Sequence, residues 1–151
     1  MIEVVGLHKS YRIGWREVHA LRGVDLILRD GSFSFILGPS GSGKSTLLHC
    51  LGALDVPTQG EVRIDGQNLA ALSERNRSLF RRHRVGFIFQ SLNLIANLTA
   101  VENVLLPHMP EGVNGTHREK AVAVLQRVGL GDRLDHRPVQ LSGGEQQRVA
   151  I

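Results

Sequence analysis

The residues best placed for chemistry lie together in "GPSGSGKST", Gly38 to Thr46. They match the spacing G-x-x-x-x-G-K-[ST] of a phosphate-binding loop. Along Gly38, Pro39, Ser40, Gly41, Ser42 and Gly43, the glycines let successive backbone N–H groups turn inward as a nest for the α and β phosphates. The following helix start, with Thr46 in its first turn, adds a positive dipole end. Lys44 would pair with the β and γ phosphates, and Ser45 would offer its hydroxyl to Mg²⁺. Hydrogen bonds to charged groups contribute about 1.5–3 kcal/mol each, so several together could hold a triphosphate. The bland alternative is a Gly-rich turn that merely starts a helix. It competes poorly, because Gly is only about 7% of average usage and two at fixed spacing must be followed by Lys and Ser.

A second group sits in "QLSGGEQQRVAI", Gln140 to Ile151. Ser142 and Glu145 form a capping box, the signature of a helix N-terminus, yet the chain stops soon after. The seven histidines, His8, His19, His49, His83, His108, His117 and His136, are scattered without the i, i+3 or i, i+4 pairing of metal ligands on a helix. No metal site is expected from them. A carboxylate for Mg²⁺ at the end of an apolar strand is also needed for phosphoryl transfer. Asp30 follows Arg29, Asp65 follows Arg63 and Ile64, and the one suitable apolar run ends at Gln90, so none qualifies.

These groups need elements to hold them. Three short strand-like pieces open the chain, the clearest setting Val24, Leu26 and Leu28 against Asp25 and Arg29. Asp30-Gly31 then signals a hairpin into the apolar strand Phe33 to Leu37. "KSTLLHCLGAL" suits a buried helix. Val62 and Ile64 alternate with Arg63 in a strand, and Asp65-Gly66 is another tight turn. A further apolar strand starts at Val85 and ends on polar Gln90. Helices follow, with capping boxes at Thr99–Glu102 and Thr116–Glu119. The first should stop at Pro107. The second places Ala121, Val124, Leu125 and Val128 on one face and ends at Gly129.

The bulk properties are those of an ordinary globular chain: 151 residues, 42% hydrophobic, 21% charged and a formal net charge of +4. One cysteine, Cys50, excludes an internal disulfide and fits a reducing compartment. Neither a signal peptide nor a run of 18 apolar residues is present. The basic stretch Arg75 to Arg84 could be a nucleic-acid or anionic-membrane patch. A solvated helix face is the better reading, because only Phe80 interleaves the charges as an aromatic.

"LSGGEQQR", Leu141 to Arg148, resembles the signature of the ATP-binding-cassette (ABC) ATPases, and the resemblance runs along the chain. "VHALRGVDL", "GPSGSGKSTLLHCLGALDVPTQGEV", "FQSLNLIANLTAVENVLLP" and "RPVQLSGGEQQRVAI" look like the branch serving lipoprotein release and macrolide-type export. The resemblance implies an α/β fold: a P-loop NTPase of ABC type with an N-terminal antiparallel β subdomain, a RecA-like core and a helical subdomain. Residues 1–90 would hold the β subdomain and the core to the Q-loop, and residues 91–151 the helical subdomain and signature. It also implies that the strand bearing the Mg²⁺ Asp and catalytic Glu, and a switch histidine, lie beyond Ile151. The C-terminal core strands would then be missing and residues 1–151 alone inactive.

The cofactors so implied are ATP and Mg²⁺. Tyr11 matches the adenine-stacking aromatic, and Gln90 the Q-loop glutamine, with a part in catalysis beside Lys44 and a metal role beside Ser45. Leu141, Ser142, Gly143, Gly144, Glu145 and Gln146 match the signature, which meets ATP held by a second nucleotide-binding domain, head to tail in a homodimer. A transmembrane permease would be contacted through the Q-loop and helical region, at the cytoplasmic face of the inner membrane, and no nucleic acid is expected. The alternatives are a non-transport ABC ATPase acting on nucleic acid or the ribosome, and a P-loop small-molecule kinase.

Overall fold

A computed structural model describes residues 1–151, and the chain divides into two compact units, Met1–Gly86 and Phe87–Ile151. The first unit is built on an antiparallel sheet of order β2-β1-β3-β4, formed by β1 (Ile2–Ile13), β2 (Arg16–Leu28), β3 (Gln59–Ile64) and β4 (Gln67–Asn68). β1 and β2 make one long hairpin through Gly14 and Trp15, in place of the three short pieces expected. Register shifts between Val4 and Leu7 and between Lys9 and Ser10 interrupt the period of two, so a continuous strand reads as fragments. Trp15, at the hairpin tip, is fully exposed. β3 and β4 join through Asp65 and Gly66, both at positive φ as a two-residue hairpin turn requires.

α1 (Lys44–Leu51) and α2 (Glu74–Arg84) complete this unit. Val4, Leu7 and Val62 of the sheet, Leu47, Cys50 and Leu51 of α1, and Phe80 of α2 form its core. The basic stretch is less solvated than expected. Arg77 donates to the Leu72 carbonyl, Arg81 to the Ala53 carbonyl and Arg84 to Asp65, so these arginines fasten α2 to its surroundings. Phe80 is buried and offers no stacking platform.

The expected strand Phe33–Leu37 does not form. The segment has no hydrogen-bonded neighbour, and Phe33, Phe35 and Leu37 are exposed at 84%, 75% and 86%. Asp30-Gly31 is a turn but no hairpin follows it. Val85–Gln90 is likewise not a strand. A strand exists through its ladder, and neither run finds a partner in this chain.

The second unit is helical: α3 (Ala100–Leu105), α4 (Gly115–Arg127) and α5 (Gly143–Ala150), joined by 3₁₀ turns at Leu106–Glu111, Gly131–Arg133 and Pro138–Gln140. α3 begins with the expected Thr99–Glu102 box. It stops before Pro107, and the chain continues as 3₁₀ helix through that proline. The box expected at Thr116–Glu119 is not used, because Asn114, an equally good cap, accepts from the His117 amide and starts α4 earlier. Ala121 and Leu125 face the core as expected, but Val124 is 48% exposed. Leu141 and Val149 bury on either side of the α5 first turn. Asn103 is buried with its amide satisfied, accepting from the Ile95 N–H and donating to the carbonyls of Ile95, Leu98 and Thr99.

Candidate functional site

The loop Gly38–Gly43 ends in Gly43, which takes a left-handed conformation (φ 89°) as the N-cap of α1. A Cβ there would run into the Ala20 carbonyl oxygen of β2, so the position demands glycine twice over, for φ and for space. No side chain caps α1 and no acidic residue sits in its first turn. Its leading N–H groups and dipole end are therefore left for an anion. A pocket of about 300 Å³ opens here, with Val18, His19 and Ala20 of β2 on one side and Ser40, Gly41 and Gly43–Thr46 on the other.

Lys44 folds back over the loop. Its Nζ donates to the carbonyls of Gly38 (2.8 Å) and Pro39 (2.6 Å), which fixes the ammonium at the loop mouth. Ser45 is exposed and Thr46 half-buried. The donor set fits a polyphosphate with its cation: a helix start without a cap, a glycine that allows close backbone approach, an ammonium and a free hydroxyl.

Tyr11 lies on β1 opposite Val18, one of the pocket-lining residues. Its hydroxyl donates to Asp55 Oδ2 (2.8 Å). Burial and the Asp55 carboxylate raise the phenol above its ordinary range, against a hydrogen bond from Thr46. Asp55, Lys9 and the β2 wall of the pocket were not visible in the sequence, because only the sheet register and the turn after α1 bring them here.

The second unit carries Gln90 and the Leu141–Gln146 group. Gln90 is exposed in a turn, not at a strand end. Leu141 is buried, while Ser142, Gly143 and Gly144 are exposed. The capping box forms as expected: Ser142 Oγ accepts from the Glu145 N–H (3.3 Å), and Glu145 Oε2 accepts from the Ser142 N–H (2.7 Å). Hydrogen bonds to the carboxylate from the Ser142 N–H and the Ser142 side chain hold Glu145 below its usual range, and Arg133 adds to the effect. The Gln146 amide donates to the carbonyls of Pro138 and Leu141.

Neither glycine of the group is required by this chain. A Cβ at Gly143 would meet nothing, one at Gly144 would come only within 3.8 Å of Arg148, and neither residue has positive φ.

A larger pocket of about 600 Å³ in this unit is mainly apolar, lined by Phe87, Phe89, Leu94 and Val104 among others, and has no anion-binding loop. His108 and His117, expected to stand alone, stack with ring centroids 4.5 Å apart. No cluster of three metal-ligating side chains exists.

Comparison with known proteins agrees with this geometry. The family model described as ABC transporter matches residues 21–151. The macrolide export ATP-binding/permease protein MacB of Chlorobium luteolum is 52% identical over 151 residues, covering 100% of this chain and 23% of that protein. An uncharacterized ABC transporter ATP-binding protein of Thermotoga maritima is 51% identical, covering 100% of this chain and 65% of its own length.

The chain is thus similar to part of each. Among solved structures, the dimeric post-hydrolysis state of the ATP-binding cassette MJ0796, bound to ADP and Pi, superposes with a TM-score of 0.89 at 42% identity, covering 99% of this chain and 67% of that one. A second dimeric structure of that cassette gives 0.90 at 44%. With the loop, the fold and the relatives in agreement, the chain belongs to the ABC transporter family, as an ATP-binding domain with a P-loop ATPase fold.

Proposed function

We propose that this chain binds Mg²⁺-ATP at Gly38–Thr46 and presents Leu141–Gln146 to ATP held by a second copy, head to tail, to power export through a membrane permease. The single observation that carries the reading is the Gly43 junction, where the close pass under Ala20 leaves α1 uncapped beside Lys44. Bound Mg²⁺-ATP would supply the phosphoanhydride bond whose hydrolysis resets the dimer.

In this reading the loop N–H groups orient the α and β phosphates. The Lys44 ammonium would pair with the β and γ phosphates, the Ser45 hydroxyl and, in the family's manner, the Gln90 amide would hold Mg²⁺, and the Tyr11 ring would stack on the base. Support for a role in trans comes from Gly143 and Gly144, which are glycine for no reason within the chain. An approaching oxyanion supplies one, since a Cβ would hold it off the N–H groups.

Residues 1–90 would form the nucleotide-binding part, and residues 91–151 the part that carries motion to the permease. The location would be the cytoplasmic face of the inner membrane; no helix of the chain is long and apolar enough to cross a membrane. Relatives named for macrolide export make macrolide-type export the proposed output of the intact transporter. ATP hydrolysis needs the carboxylates that these residues do not supply, so residues 1–151 alone would show negligible turnover.

The test uses the full-length protein. Lys44→Ala is expected to lower ATP affinity at least 10-fold, because hydrogen bonds to charged groups are worth about 1.5–3 kcal/mol each. Ser142→Ala is expected to leave affinity unchanged and to abolish ATP-dependent dimerisation in sedimentation velocity. Equal loss of binding in both variants would sink the trans geometry.

A further inference from the structure

Lys9 and Tyr11 of β1 meet Asp55, in the turn after α1. Lys9 Nζ donates to Asp55 Oδ1 (2.5 Å) and to the Val56 carbonyl (2.8 Å). Asp55 Oδ1 also accepts from the Val56 N–H (2.7 Å), and its second oxygen accepts from the Tyr11 hydroxyl (2.8 Å). The Lys9 ammonium lies over one face of the Tyr11 ring, 4.9 Å from its centroid. The Lys9 and Asp55 side chains are only 12% and 26% exposed, so solvent screens this group weakly.

A tyrosine near the end of a two-stranded ribbon has two torsions to settle. Here both are fixed: the hydroxyl is tied at the far end of the ring, and an ammonium covers one face. Only the other face can receive a flat partner. Tyr11 lies on β1 opposite Val18, which lines the Gly38–Thr46 pocket, so the ring is carried beside that loop. Because the ring is immobilised beforehand, its ordering cost does not fall on the binding step. Burial pushes Asp55 up, but Lys9, Tyr11 and the Val56 N–H outweigh it, so the carboxyl stays ionised and the tie holds at neutral pH.

We infer that Asp55, braced by Lys9, is a positioning residue for nucleotide recognition that sets the Tyr11 ring so its uncovered face meets the base. The inference rests on the proposed role of Tyr11 as the base-stacking aromatic. A cluster that only stapled the post-α1 turn to β1 would serve the fold and leave base recognition alone. Discrimination therefore requires a ligand with a base and one without.

The experiment measures, by calorimetry with Mg²⁺ on the full-length protein, the affinities for ATP and for inorganic tripolyphosphate. Tyr11→Ala is expected to weaken ATP binding about 5- to 150-fold. Asp55→Ala and Tyr11→Phe are each expected to weaken it about 2- to 10-fold. None should change tripolyphosphate binding. Asp55→Asn, which still accepts from the phenol, should recover part of the loss.

Parallel loss of both ligands in Asp55→Ala and Tyr11→Phe would show a fold staple and overturn the inference. Unchanged ATP affinity in those two, with Tyr11→Ala weakened, would overturn it while leaving the Tyr11 reading intact. If Tyr11→Ala binds ATP normally, the Tyr11 reading fails and the inference with it. Should Asp55→Ala not fold, Tyr11→Phe decides, since it removes one oxygen atom and keeps the ring.

Discussion

Gly43 and Cys50 stand at opposite ends of α1, and the chain constrains each differently. Gly43 is fixed by its left-handed backbone and by the Ala20 carbonyl, so even alanine there must displace β2. Gly143 and Gly144 meet no such limit, and that contrast separates a glycine the fold requires from glycines free to serve a ligand. Cys50 is buried at 1% exposure, and burial pushes its thiol up to about 11, with Asp55 adding to the rise and Lys9 opposing it. The thiolate is the reactive form. The folded chain is therefore expected to be inert to a thiol-specific reagent at pH 8, with full reactivity appearing only across the denaturant unfolding transition. Rapid labelling of the native protein would contradict this packing.

At the scale of elements, the helix starts of the second unit rest on carboxylates. Backbone and side-chain bonds from Thr99 hold Glu102 below its ordinary 4.5, and those from Ser142 do the same for Glu145. A depressed folded-state value means the stabilisation is complete above the unfolded value and is lost as pH falls through the folded one. Helicity of α3 and α5 should accordingly fray as pH drops below about 4.5. Glu102→Gln with Glu145→Gln should flatten that acid limb in circular dichroism.

These boxes were legible in the sequence because a capping box is local: four residues contain its whole logic. The glycine-rich turn into α1 and the Asp65-Gly66 turn were legible for the same reason. The strands expected at Phe33–Leu37 and Val85–Gln90 were not, since an apolar run records a preference and the ladder depends on distant partners. Asn114 and Thr116 could both begin α4, and only the fold chose between them. The β2 wall of the pocket at Gly38–Thr46 and the Lys9–Asp55 pair join residues far apart along the chain, beyond any window of local pattern.

The whole molecule presents two cores and one uncovered apolar ribbon. Phe33 and Phe35 pack edge to face, with ring centroids 4.9 Å apart, and Leu37 follows on the same alternation. Exposed apolar surface with unpaired backbone is a template for association. The 151-residue chain is expected to self-associate at micromolar concentration and to bind a hydrophobic dye, and Phe35→Lys should reduce both in sedimentation and fluorescence assays. Equal behaviour of the variant would place the sticky surface elsewhere.

Trp15, the single tryptophan, sits at the exposed tip of the β1–β2 hairpin, outside the core of the first unit. Its indole already emits from water in the native state. Optical melting followed at that wavelength will thus be almost silent, whereas anything that seats on the hairpin tip will announce itself by a blue shift.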